Sequence, residues 1–243
     1  MAEFSATPSQ NAVIIAFTII LSVPVIATAV SILYDDHGQG VENCEQLTAL
    51  LEQQDLSSSV PNQGILLIGD ERLRRWRYQP KKLAGADVLT RHVSGLNLER
   101  IADCFQRAVA FYRPAITVWL PSEQELAMGS DALTRHIQQI FERRTYYSVS
   151  PFLAIAMPPN TPAIPNQQQR LAATIDLLRS LLEQQTGTAL MDVSADLAAS
   201  SGLPDPTLFW PDGKTLNERG LEQMFEGLSA QLPQQQTKLN PLK

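Results

Sequence analysis

Short apolar runs alternate with longer amphipathic stretches along most of this chain, and few architectures can absorb that alternation. The apolar runs predict strands at Ile65–Ile68, Asp87–Val93, Ala115–Leu120, Phe152–Met157 and Ala189–Val193. The stretches between them, Leu96–Tyr112, Asp131–Tyr146 and Gln167–Gln185, predict helices, as does Leu216–Leu232 at the end. Strands separated by helices of this length make βαβ units, and hence a parallel sheet of five strands covered on both faces. Leu171, Ile175, Leu178 and Leu182 recur at helical spacing and give one helix its core-facing stripe. No internal repeat interrupts the pattern.

What precedes the alternation is different in kind. Ala12 to Tyr34 is a run of 23 residues without a charge, long enough at about 1.5 Å per residue to cross a hydrocarbon core of about 30 Å. Pro24 lies mid-run, as membrane helices tolerate. A cleaved signal peptide ending at Ala27-Thr28-Ala29 is the competing reading, but no Lys or Arg precedes the run. A single-pass anchor is therefore expected at 12–34, after a tail at 1–11. Neither flank carries the basic residues that would fix its orientation. Residues 35–62 then form a linker and a short helix, in which Val41, Cys44, Leu47, Leu50 and Leu51 keep helical spacing. Residues 63–232 form one globular domain, and 233–243, with its run of glutamines, a loose tail.

A net charge of −6 and a pI near 5.1 argue against a general nucleic-acid binder. Cys44 and Cys104 either pair, if the domain works in an oxidising compartment, or stand as two buried thiols. The acidic chain carries one basic segment: Arg72, Arg74, Arg75, Arg77, Lys81 and Lys82, with Trp76 and Tyr78 among them. It reads as a contact for an anionic polysaccharide, a lipid headgroup or an acidic protein. It also reads as a solvated helix face with Leu73 and Trp76 turned inward. Phe209 and Trp210 read as core residues.

Two short motifs sit where a parallel sheet binds its ligands, beyond the carboxyl ends of the strands. Ile65 to Glu71 runs from an apolar strand into Gly69-Asp70-Glu71, and Asp212-Gly213-Lys214-Thr215 precedes the last helix. Ser94-Gly95-Leu96 follows the second strand, and Pro121-Ser122-Glu123-Gln124 the third. In order and placement these four segments resemble the blocks of the SGNH/GDSL hydrolases, across about Gln63 to Leu232. The resemblance implies an SGNH-hydrolase-like, flavodoxin-like three-layer α/β sandwich.

The resemblance also implies a catalytic set, and the chain departs from it. Glu71 stands where the family has its nucleophilic serine, Glu123 where it has the oxyanion-hole asparagine, and Thr215 where it has the histidine base; Gly95 and Asp212 are kept. Acyl transfer needs an alcohol activated by a base and donors aimed at the developing oxyanion. Glu71 supplies no alkoxide, Thr215 no base at neutral pH, and an ionised Glu123 opposes the oxyanion. His37, His92 and His136 lie outside the matching block. No catalytic residue of the standard kind is therefore assigned.

Asp70, Glu71, Gly95, Glu123, Asp212 and Lys214 remain as candidate ligand-binding residues. Asp70, Glu71, Glu123 and Asp212, if they converge, form a carboxylate cluster that would suit Ca²⁺, Mg²⁺ or Mn²⁺, or an acid/base pair of the glycosidase kind. The alternative is neutralisation by Arg72, Arg74 or Lys214, with no cofactor, and a capping role for Asp70. The expected function is a membrane-anchored, extracytoplasmic binding or structural subunit of an envelope or membrane complex, with a protein partner. The alternative is a hydrolase or acyltransferase acting on envelope carbohydrate or lipid through the rearranged site.

Overall fold

A computed structural model describes residues 41–56, 64–70, 73, 81–121, 128–149, 153–157, 167–213 and 215–239. The segment 12–34 expected to span a membrane lies outside them; among the described residues no helix is long and apolar enough to do so.

The described elements run in the predicted alternation. They are α1 (Cys44–Asp55), β1 (Ile65–Gly69), β2 (Lys82–Leu83), β3 (Ala86–His92), α2 (Leu98–Asp103), α3 (Phe105–Ala108), β4 (Ile116–Leu120), α4 (Ser130–Tyr146), β5 (Leu153–Met157), α5 (Gln167–Glu183), β6 (Thr188–Asp192) and α6 (Glu218–Leu239). The strands form one sheet in the order β2-β3-β1-β4-β5-β6. β3, β1, β4, β5 and β6 are mutually parallel in the expected flavodoxin-like order.

The sheet has one strand more than the sequence predicts. Two-residue β2 pairs antiparallel with the start of β3 through Lys82↔Asp87 and Leu83↔Ala86. Its turn holds Ala84 and Gly85, both at positive φ, and a strand of two residues leaves no periodic signal to read.

Burial on both faces explains the composition of the central strands. All five residues of β1 and of β4 are buried, and alternate residues enter opposite cores. Leu66, Ile68 and Trp119 face the core covered by α1 to α5, while Ile65, Leu67, Ile116 and Val118 face the core covered by α6. On α5, Leu178 and Leu182 are buried and Ile175 packs against the same core, as their spacing predicts.

Two predicted helix boundaries shift. The stretch Leu96–Tyr112 is not one helix but α2, α3 and a 3₁₀ turn at Ala110–Tyr112, broken at Cys104 and again at Val109. α6 does not stop before Pro233 but continues to Leu239 with the proline inside it. A proline removes one helical hydrogen bond and crowds the preceding turn, yet Leu232 is fully buried.

α1 is tied down at both ends. Cys44 and Cys104 form a disulfide between the start of α1 and the junction of α2 with α3, which resolves the two alternatives for these cysteines. Leu47 and Leu51 are fully buried beneath the helix. At its other end the Gln54 side-chain amide pairs with the backbone of His92, donating to its carbonyl at 2.6 Å and accepting from its N–H at 3.4 Å. Asp55 accepts from Arg91 and Arg107. Tyr112 lies in this cluster, and burial pushes its phenol above the ordinary 10.0, the hydrogen bonds from Arg91 and Arg107 opposing the shift only in part.

Two predictions follow from these ties. The disulfide closes a separation of 60 residues, for which chain entropy gives at most about 4 kcal/mol. Reduction should lower the melting temperature by up to about 16 °C, measured by circular dichroism with and without a reductant. Tyr112, with its pKa raised on folding, contributes stability that is complete below the unfolded value and lost as pH rises through the folded one. The melting temperature should therefore fall above pH ~10, and Tyr112→Phe should flatten that limb of the curve.

Candidate functional site

The parallel register puts the ends of three strands in one line. Gly69 of β1 lies opposite His92 of β3 on one side and Leu120 of β4 on the other. The residues that follow, Asp70, Val93 to Gly95 and Pro121, therefore emerge at the same carboxyl edge of the sheet. This is where such a sheet leaves room for a ligand.

Close backbone approach explains the glycine at the end of β1. A Cβ on Gly69 would stand 2.9 Å from Leu73 Cδ1 and 3.1 Å from the Leu120 carbonyl oxygen. Asp70 follows, buried to 6 % exposure, and its carbonyl accepts from the Leu73 N–H at 3.1 Å, which starts a turn directly after the strand. The second glycine has a conformational reason: Gly95 has φ +68° in the turn after β3. That turn is closed by the Leu96 N–H donating to the Val93 carbonyl at 3.0 Å.

The Asp212–Thr215 segment is built separately, between a 3₁₀ turn at Pro206–Leu208 and α6. Asp212 is exposed. Its Oδ1 accepts from the Thr215 N–H at 2.9 Å and its Oδ2 from the Thr215 hydroxyl at 2.7 Å. A bridge between Phe209 and Leu216 and a bond from the Trp210 N–H to the Thr215 carbonyl at 2.8 Å close the loop. Asn217 then opens α6: its Oδ1 accepts from the Gly220 N–H at 3.1 Å, and its side-chain amide donates to the carbonyls of Thr207 and Phe209. Leu208, Phe209 and Leu216 share a core with Leu73 and Leu120, so this loop belongs to the α6 side of the sheet.

Trp210 differs from its expected place in the core. It is 53 % exposed, beside the Asp212 turn, whereas Phe209 is buried as predicted. Apolar type alone does not distinguish the two in a loop.

Of the candidate residues, Asp70, Gly95, Asp212 and Thr215 are described, as are Lys81 and Lys82 of the basic segment, both exposed. Glu71, Arg72, Arg74, Arg75, Arg77, Glu123 and Lys214 lie outside the described residues. Of the four carboxylates in the expected cluster, Asp70 and Asp212 are described. Among the described residues no group of three His, Cys, Asp or Glu side chains is placed to hold a metal ion.

Sequence reasoning passed over His92, which the register brings to the same edge as Gly69. Its half-buried position at the last residue of β3 was hidden because no motif surrounds it. A second feature with no sequence signal is a pocket of about 430 Å³ in the loop after β6, with Ser194, Leu197, Ala199, Ser200, Gly202 and Pro204 in its wall. Among the described residues none with a charged side chain lines it, Asp70 and Asp212 included.

No protein-family pattern matches the sequence, and no curated protein matches it either. Solved structures do match. A provisionally named platelet activating factor from Streptococcus pneumonia superposes with a TM-score of 0.63 at 15% identity, over 85% of this chain and 99% of its own. A GDSL-like lipase from Bacteroides thetaiotaomicron gives 0.60 at 12% identity, over 77% and 97%. A provisionally named acylhydrolase from Bacteroides fragilis gives 0.59 at 14%, over 79% and 98%. The chain has the SGNH/GDSL-hydrolase-like fold. Coverage of these proteins is nearly complete, so the SGNH/GDSL-like scaffold is present as a whole and not as one βαβ unit.

The tight packing around Gly69 gives a prediction with an unusual sign. Gly→Ala changes at compatible sites stabilise by limiting the unfolded chain. Gly69→Ala should instead destabilise by about 1 kcal/mol, because Leu73 and the β4 end must move apart to admit the methyl; urea unfolding measures it.

Proposed function

We propose that the chain is a membrane-anchored, SGNH/GDSL-like protein that works as a binding or structural subunit rather than as a serine esterase. The observation that carries the reading is the Asp212–Thr215 turn. Where the fold's resemblance calls for a histidine base oriented by the aspartate, Thr215 gives both its N–H and its hydroxyl to Asp212. A threonine hydroxyl accepts no proton at neutral pH, so an aspartate directed at it orients no base. Glu71 and Glu123 in the nucleophile and asparagine positions point the same way.

The apolar segment 12–34 supports attachment to a membrane. The Cys44–Cys104 bond supports an oxidising, extracytoplasmic setting for the domain, since such bonds persist there and are rare in reducing compartments. An uncharged membrane helix can pack against others as well as against lipid, which suits a subunit of an envelope or membrane complex. The basic segment Arg72 to Lys82 would add affinity for an anionic partner surface.

A second reading is favoured by one arrangement: buried Asp70 and His92 share the carboxyl edge of the sheet. In that reading the domain is a hydrolase or acyltransferase for envelope carbohydrate or lipid, using carboxylates in place of the serine. The names of the matching structures, acylhydrolase and GDSL-like lipase, agree with this class of chemistry.

An esterase assay separates the two. The detergent-purified protein should hydrolyse p-nitrophenyl acetate no faster than buffer. The triple variant Glu71→Ser, Glu123→Asn, Thr215→His should gain measurable turnover. Hydrolysis by the unaltered chain that disappears in Glu71→Gln would favour the enzyme instead. Mild detergent extraction should in addition recover a stoichiometric protein partner.

A further inference from the structure

The most concentrated polar arrangement among the described residues lies beneath α1, away from the candidate site. Three donors come from the body of the domain: Arg91 on β3, Arg107 on α3, and Tyr112 in the turn that follows. They meet one acceptor, Asp55, which arrives from α1. Asp55 Oδ1 accepts from Arg91 Nη2 at 2.5 Å and from Arg91 Nε at 2.9 Å. Oδ2 accepts from Arg107 Nη2 at 2.5 Å, and the Tyr112 hydroxyl lies 3.2 and 3.4 Å from the two oxygens.

The donors are also fixed to one another. Arg107 Nη1 donates to the Tyr112 hydroxyl at 2.9 Å, and Arg91 Nη1 to the Thr90 carbonyl at 2.8 Å. The Arg91 and Arg107 guanidinium carbons both lie 5.3 Å from the Tyr112 ring centroid. The Arg91 and Arg107 side chains are only 3% and 14% exposed.

We propose that Arg91, Arg107 and Tyr112 form a carboxylate-binding site, and that Asp55 is its resident ligand, delivered by α1 of the same chain. The site takes a small monocarboxylate once the Asp55 side chain is gone. The donors do not depend on Asp55 to hold their places, because the Arg107–Tyr112 and Arg91–Thr90 bonds fix them from the body side. A buried guanidinium that loses a carboxylate partner favours another anion in its place, and the fork geometry selects a planar one with two oxygens. In the unaltered protein Asp55 wins because it is tethered, with an effective concentration beyond that of a free ligand.

Asp55→Ala removes the resident carboxylate and leaves a gap of carboxylate size. α1 itself stays attached through Cys44–Cys104, through Leu47 and Leu51, and through Gln54 on His92. Thermal unfolding of Asp55→Ala is compared in sodium formate, sodium acetate and sodium chloride at equal ionic strength and neutral pH. The variant should melt below the parent in chloride, and formate should recover stability along a saturating curve. At ten times its Kd formate multiplies the folded-to-unfolded ratio about 11-fold. Acetate should act more weakly, its methyl group being the larger cargo, and the parent should respond to none of the three.

Adding Arg107→Gln to Asp55→Ala should abolish the response to formate. Coincident formate and chloride curves for Asp55→Ala overturn the proposal, and so does an equal formate shift in the parent. If Asp55→Ala does not fold in chloride, its refolding yield decides: recovery in formate alone supports the site, and failure in both salts overturns it.

Discussion

A parallel sheet imposes the constraint from which the rest of this molecule follows. Its strands must be joined by crossovers, so both faces are covered and every strand end of one polarity falls along one edge. β1 and β4 meet the first demand with five buried residues each, dividing alternately between the two cores. They meet the second by aligning Gly69, His92 and Leu120. The candidate site is a by-product of this geometry: Asp70, Gly95 and Pro121 lie near one another because of strand register, whatever chemistry they carry. Function depends instead on the side chains that the edge carries.

The legible parts of the sequence are those where physics writes a periodic signal. Five apolar runs gave five parallel strands, each to within one or two residues, and in β1 and β4 burial on both faces leaves little tolerance for polar residues. The stretch Leu96–Tyr112 misled for a local reason: its apolar spacing persists through Cys104 and Val109, while the backbone there leaves the helix, with φ/ψ of −102/24° and −130/−58°. Periodicity reports which face is buried, not whether the hydrogen-bond ladder is unbroken. At the site, the glycines were legible because Gly69 and Gly95 answer to space and to φ. His92 was not, since its place depends on pairing with a strand more than twenty residues away.

Long-range ties account for the other hidden features. The Asp55 cluster joins residues separated by 36, 52 and 57 positions, and no local pattern announces such a meeting. Cys44 and Cys104 are similarly mute in sequence, because two cysteines pair only if the fold brings them to bonding distance. Together these contacts fasten α1 at its first and last residues to one stretch of the body, from β3 to the 3₁₀ turn after α3. Leu47 and Leu51 of the helix share one core with Leu66, Leu89 and Val93. An otherwise short helix, marginal in isolation, thereby becomes a fixed part of the domain.

The two ends of the domain thus use carboxylates in opposite ways. Asp55 is held by guanidinium groups that are themselves buried, so its removal costs more than the loss of a surface pair. Asp212 is exposed and held by the N–H and hydroxyl of Thr215, three residues along the same turn. Neutral donors of that kind shape a loop and cost little to lose, because water replaces them at an exposed position. The Asp212–Thr215 contacts thus close the loop that leads into α6.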